Sequence, residues 1–478
     1  MFLFPIIYIV FFAIAVYHLL KSKVDGALLF IIFGLPIYIT SLSTTFLYGF
    51  TFLVPILQSF KEIIILLTFI IVFISLKKKP RLHFLDRVIL IYLLLIVCYT
   101  VIPLGGFSFK ERLIALKSIS FFPLIYFSGR FIDPKKVNLN QYFQYICIVA
   151  IPAAVVVVWE AITYTHFQTF TGYADYMFYY FNQEPSGHHG LNWTFEAEND
   201  GPKRFASFFA NPLDHASATL TVICAFLTLI TTETKKIKLN RFLLVVFLCT
   251  LASIVFALSR ASFVSYFIIL YMYAVINNRK IWITYFYYAT IIVSIIVFTF
   301  LSGEIYDFII GTLNFTNSSS VYHIIQWLEG IQSIATSPFG LGMGTSGRIS
   351  AMLGTNVGGE NQLIIIGVQA GVIALLLYLF IYIYLLRTAF KMTGERKGKA
   401  RKIAIFILLL KLGMIIPFLT AEAESYVYVS YITWFFSGLM INIKYNTDGD
   451  RNRYKGPEGG KDRAENNTGG DLQSIQIA

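Results

Sequence analysis

Apolar residues dominate the chain in runs long enough to cross a bilayer. A membrane core needs about 20 apolar residues per helix. On that measure about thirteen segments qualify, near residues 2–20, 27–47, 51–76, 87–104, 113–129, 141–162, 206–232, 241–258, 261–277, 280–301, 361–386, 403–419 and 427–444. The spacing predicts an all-α polytopic membrane protein of about 12–14 transmembrane helices, thirteen favoured. The pair 27–47 and 51–76 could merge or re-enter, and the segments flanking Ser259-Arg260 could be one broken helix. Residues 1–444 form a single transmembrane domain, and 445–478 read as a polar, disordered tail. The first segment has the length of a signal peptide but lacks a preceding basic stretch, since Lys21 and Lys23 follow it. It reads as a retained span.

Composition agrees. The chain of 478 residues is 57% hydrophobic and only 13% charged, against roughly 25% charged in soluble domains. A single soluble domain is excluded. The net charge of +12 belongs to loops rather than to a nucleic-acid surface. Lys and Arg crowd 77–87, 130–136, 235–241, 387–402 and the chain from 444 onward. Only Lys61, Lys110, Arg112, Lys117, Lys203, Arg204, Arg260 and Arg348 fall in or beside the alternate loops. Cytoplasmic loops accumulate such charge, so the N-terminus is expected outside and the C-terminus inside. Two long connections, 163–205 and 302–360, then lie on the outer face, the second expected as a helical lid. The four cysteines sit in separate apolar runs, which implies neither a disulfide framework nor a metal cage.

Charges at the boundary of a membrane are costly unless they work. Three groups stand out. Lys203-Arg204 precede Asn211-Pro212 at a span entrance, where free backbone N–H groups and Arg204 would make an anion site; snorkelling basic residues and a capping Asn are the plain alternative. Ser259-Arg260-Ala261-Ser262 places a guanidinium in a tight turn, suited to phosphate, or serves as an ordinary turn charge. Gly340, Gly342, Gly344, Gly347 and Arg348 precede Gly358-Gly359-Glu360-Asn361-Gln362. No βαβ context surrounds these glycines, which excludes a nucleotide loop. They let backbone approach a ligand or another helix. Glu360 opens the next span as a candidate base or as a helix cap. His166, His188, His189, Glu196, Glu198, Asp200, Asp214 and His215 lack metal-ligand spacing and are read as a solvated loop and its flank.

In this order the motifs resemble the O-antigen polymerase and O-antigen ligase superfamily of lipid-linked glycan transferases. Arg204-Phe-Ala-Ser-Phe-Phe-Ala-Asn211-Pro212 is similar to the family's Arg segment. Ser259-Arg260-Ala261-Ser262 is similar to its Ser-Arg turn. His323-Ile-Ile-Gln-Trp327 with Ser337-Pro338-Phe-Gly340-Leu-Gly342-Met-Gly344 resembles its large-loop helix and glycine turn. Glu360-Asn361-Gln362 resembles the polar opening of its following span. His323 stands where the family often has Arg, and Glu360 where ligases have His, so the form is polymerase-like.

The resemblance implies a GT-C-type glycosyltransferase without cofactor; direct displacement would invert the anomeric configuration, and the lack of a credible acidic cluster implies metal independence. Such an enzyme acts at the outer face of the bacterial cytoplasmic membrane and extends undecaprenyl-diphosphate-linked repeat units, with a lipid-linked glycan as both donor and acceptor. A chain-length regulator and a flippase are implied partners, with membrane lipid and no nucleic acid. Glu360 and His323 are implied as catalytic. Arg204, Arg260, Lys203 and Arg348 would hold the diphosphate, and Asn211, Trp327 and Asn361 the sugar. Ligase activity and lipid-linked sugar transport are the alternatives.

Overall fold

The computed structural model describes residues 1–76, 80–186, 190–196, 202–232, 239–288, 291, 318–348, 350 and 356–454. Among them the chain is helical throughout and contains no named strand. Among the described residues eight helical stretches are long and apolar enough to cross a membrane: Leu3–Leu20 (α1), Asp25–Leu47 (α2), Thr51–Ile74 (α3), Phe84–Val101 (α4), Leu139–Thr163, Pro212–Ile230, Gln362–Glu395 and Gly398–Thr420. The helices Arg241–Phe256 and Arg260–Ile276 are apolar but shorter. Among the described residues the chain is all-α, with the long apolar helices of a membrane-embedded protein.

Differences from the apolar pattern have local causes. The stretch 113–129 is two helices, Phe109–Ser120 (α5) and Phe122–Phe131 (α6). Pro123 has no N–H, so the Ile119 carbonyl loses its helical donor. The Tyr92 hydroxyl fills that place at 3.0 Å. Spans 27–47 and 51–76 are separate, divided at Tyr48-Gly49-Phe50 with Gly49 at φ 80°. Ser259 caps Arg260–Ile276, making the Ser-Arg turn a true break between two helices. The segment 280–301 lies largely outside the described residues, as do 302–317 of the long loop. The last helix, Val427–Tyr454, runs past 445, and residues 455–478 are outside those described.

Contacts tie the helix ends into two sets. At one end Lys399 Nζ donates to the Pro134 and Val137 carbonyls. Arg401 donates to Asn277 Oδ1 at 2.8 Å and Lys402 to Asn140 Oδ1 at 2.8 Å. Buried Asp86 meets Arg130 Nε at 3.2 Å and the Tyr126 hydroxyl at 2.7 Å. The other end carries the long connections. Phe205 N donates to Phe256 O at 3.1 Å. Arg112 Nη1 closes the end of α4, donating to Thr100 O at 2.6 Å and Val101 O at 3.0 Å. Between the ends, α6 and Val427–Tyr454 cross at two glycines. A Cβ on Gly129 would lie 2.0 Å from Phe435 O, and one on Gly438 would lie 2.0 Å from Tyr126 O. Small residues at such crossings let backbones pack directly, which membrane helices rely on.

Candidate functional site

For the remaining description Leu139–Thr163 is α7, Tyr173–Phe181 α8, Pro212–Ile230 α9, Arg241–Phe256 α10, Arg260–Ile276 α11, Ser318–Thr336 α12 and Gln362–Glu395 α13.

The site is organised around the start of α13. Asn361 is its N-cap, with Oδ1 accepting from Leu363 N at 2.9 Å and Ile364 N at 3.2 Å. The capping role that the sequence left open for Glu360 thus falls to its neighbour, and the Glu360 carboxylate is available for other contacts. Helix α12 lies across this entrance because Gly330 and Gly358 approach closely. A Cβ on Gly358 would lie 2.7 Å from Gly330 Cα. Gln326 Oε1 accepts from Gly359 N at 3.0 Å. This docking brings His323 Nδ1 to 2.7 Å from Glu360 Oε2, with their side chains 27% and 36% exposed. Both candidate bases therefore form one pair, open to solvent on one side. Trp327 sits one turn further along α12. Its Nε1 is buried without a hydrogen-bond partner among the described residues.

The glycine-rich turn closes on the same helix. Gly371 interrupts α13 with φ 78° and ψ 177°. The helical bonds lost there are replaced from outside. Leu341 N donates to Val368 O at 2.7 Å, Gly342 N to Gln369 O at 3.1 Å, and Val372 N to Pro338 O at 2.9 Å. A Cβ on Gly340 would lie 2.6 Å from Gly371 N, so the approach needs glycine on both sides. Gln369 completes the clamp, accepting from Gly344 N at 2.9 Å and donating to Ser346 O at 2.9 Å. The glycines serve backbone-to-helix pairing, one of the two roles their pattern allowed.

This clamp delivers Arg348. Its backbone N–H donates to Glu422 Oε2 at 2.8 Å, and its side chain is exposed. Burial pushes the Glu422 carboxyl above the usual range, opposed by the Arg348 N–H and charge. Tyr426 lies where several charges meet. Burial raises its hydroxyl pKa, Asp214, Glu360 and Glu422 raise it further, and Arg348 lowers it. Arg348 and Glu360 thus act on one buried phenol.

The first long connection is held differently. Glu160, fully buried near the end of α7, accepts from Phe167 N at 2.7 Å through one oxygen and from Ser207 N at 2.8 Å through the other. Ser207 is held at φ 54°, and its hydroxyl donates to Ala153 O at 2.9 Å. Thr40 Oγ1 donates to Phe208 O at 2.7 Å. These bonds fix 205–211, with half-buried Arg204 at its edge. The Phe205–Phe256 bond sets that segment against the end of α10, a turn before half-buried Arg260. Asn211 Oδ1 accepts from Asp214 N at 2.9 Å, capping α9. Lys203 Nζ donates to Tyr164 O and stands 4.2 Å over the Tyr164 ring, and burial lowers its pKa. His188, His189, Glu198 and Asp200 lie outside the described residues. His166 is buried against Phe195 and Phe205.

Glu160, Gln326, Gln369 and Glu422 gain positions here that the motifs did not assign them. Glu160 was legible as a lone carboxylate in an apolar run, and Gln369 as a polar residue two before a span glycine. Gln326 and Glu422 had no signal of their own. The larger of two described cavities, about 230 Å³, lies away from these groups and is lined by Asn140, Asn240 and Lys402 among others. No protein-family model matches the chain, and no curated protein matches it either.

Proposed function

We propose that this protein is a glycosyltransferase that joins undecaprenyl-diphosphate-linked oligosaccharide repeat units into O-antigen or a related surface polysaccharide. It would work at the outer face of a bacterial cytoplasmic membrane. The acceptor hydroxyl attacks the anomeric carbon of the donor glycan, a new C–O bond forms as the bond to the diphosphate breaks, and the diphosphate leaves with the electron pair. The hydroxyl proton passes to the Glu360–His323 pair. Arg204, Arg260 and Arg348 stabilise the negative charge that builds on the leaving group.

The observation that carries this reading is the 2.7 Å contact between His323 Nδ1 and Glu360 Oε2 at the start of α13. A carboxylate beside an imidazole supplies a base in either of two ways. Glu360 takes the proton itself, or it orients the ring so that His323 Nε2 takes it. The order of motifs, with Glu360 before Asn361, favours a polymerase over a ligase.

The test is an assay in proteoliposomes with lipid-diphosphate-linked repeat units, scored for a ladder of products. Wild type is expected to ladder. Glu360→Gln should lose about 10²–10⁴-fold in rate, and Arg260→Lys should also fail because a point charge cannot make the planar fork. Near-normal Glu360→Gln with inactive His323→Ala would assign the base to His323. No ladder, together with transfer of finished chains to a lipid A-core acceptor, would make the protein a ligase.

A further inference from the structure

A small cavity lies under the segment that follows Arg204. Phe209, His215, Thr219, Thr250, Ser253 and Tyr428 are among the residues that border it, and it leaves about 10 Å³, room for one water molecule. Two polar atoms of its lining residues are unspent. His215 Nε2 and the Tyr428 hydroxyl are buried, and neither meets a hydrogen-bond partner among the described residues. Both residues are 1% exposed.

The other ring nitrogen fixes what His215 can offer. Nδ1 lies 3.4 Å from the Phe205 carbonyl. A carbonyl only accepts, so Nδ1 must carry a proton for this contact to bond, and in the neutral ring Nε2 is left as a bare acceptor. Tyr428 supplies an unused donor. The Phe209 ring stacks on the imidazole at 5.3 Å and 3°, which restrains the plane of the ring. A bare acceptor and an unused donor, on two residues that border one water-sized space, can be jointly satisfied by one bridging water.

We propose that a buried water accepts from the Tyr428 hydroxyl and donates to His215 Nε2, making His215 and Tyr428 positioning residues for Arg204. The water holds the ring in one tautomer. Nδ1–H then holds the Phe205 carbonyl, while Phe205 N is held by Phe256 O. The residue next to Arg204 is thereby pinned on both of its peptide groups. This holds whatever anion Arg204 binds, so it does not depend on the transferase reading.

Two measurements on the full chain in lipid bilayers test it. Histidine-selective ¹⁵N solid-state spectra resolve the seven histidines, with the His215 signals assigned by their loss in His215→Phe. The expected state is neutral, protonated on Nδ1, with transfer of magnetisation from water to Nε2. Tyr428→Phe removes only the hydroxyl and should shift Nε2 and weaken that transfer. Protonation on Nε2, a charged ring, or no transfer in the wild type would overturn the water site. The second measurement is amide exchange over 203–211. One lost hydrogen bond corresponds to at most about a tenfold change in a local opening equilibrium. Tyr428→Phe should speed exchange there by up to that factor and leave 399–412 unchanged. Unchanged exchange at 203–211 would overturn the positioning role.

Discussion

Glu160 shows how much one side chain holds at this site. Both of its oxygens accept backbone N–H groups, one from each end of the first long connection. Glu160→Gln keeps the shape but turns an N–H donor against an N–H donor. The loss expected is about 1–3 kcal/mol, read as a lower melting temperature in detergent, with activity falling further because 205–211 shifts under Arg204. Equal melting temperatures would contradict the anchoring role. Glu422 gives a prediction with a sign. Its folded pKa is raised, so the stability it contributes is fully present below its unfolded value of about 4.3 and is lost as pH rises through the folded value. Wild type should therefore gain stability relative to Glu422→Gln on going from pH 8 to pH 5. A difference that is flat, or that runs the other way, would place the Glu422 carboxyl in water. At this scale the sequence was partly legible. Boundary charges such as Arg204, Arg260 and Glu360 announce themselves because charge is rare in such a chain. The pairing of Glu360 with His323 does not, since it depends on two glycines, Gly330 and Gly358, that let helices meet.

At Pro123 and at Gly371 a helix is interrupted where another element supplies what the interruption removes. The clearest case is α13 at Gly371, where backbone groups of 338–342 replace the missing helical bonds. Gly371→Ala would need an alanine at φ 78° with its Cβ 2.6 Å from Pro338 O. That variant should unseat the turn carrying Arg348 and abolish activity, with faster protease cleavage between 338 and 350. Gly394→Ala is the control, since a Cβ there meets nothing within 4 Å and alanine favours a helix by about 1 kcal/mol. If both variants behave alike, the break at Gly371 has no special role. Apolar runs reveal helices well, and most predicted spans contain one. They do not reveal breaks that are repaired from elsewhere, as at Pro123, where the repair comes from Tyr92 on another helix.

For the whole molecule the consistent feature is that the candidate site residues and a second set of basic residues lie at different ends. Glu360, His323, Arg348, Arg204 and Arg260 belong to connections at one end. The other end carries Lys399, Arg401 and Lys402 bound to carbonyls and amides of neighbouring loops. The distribution of Lys and Arg along the chain predicts that this second end faces the cytoplasm. A reporter active only outside the cytoplasm should be silent when fused after Tyr445 and active when inserted after Gly106, in the turn between α4 and α5. The reverse pattern would invert the orientation and move the candidate site to the cytoplasmic face.

The repaired helix also bears on how the chain is made. Val368 and Gln369 cannot bury their carbonyls in lipid until 338–342 has arrived beside them, since an unsatisfied backbone group there costs several kcal/mol. That partner is synthesised first and must already be in place when the helix settles. Biogenesis of this span is thus expected to depend on the loop before it. Deleting or shortening the loop would strand a half-bonded helix in the insertion machinery, and quality-control proteases would remove the product. Under the proposed function, loss of polysaccharide in such a deletion would report failed assembly rather than lost catalysis, and only point variants that still accumulate in the membrane can separate the two.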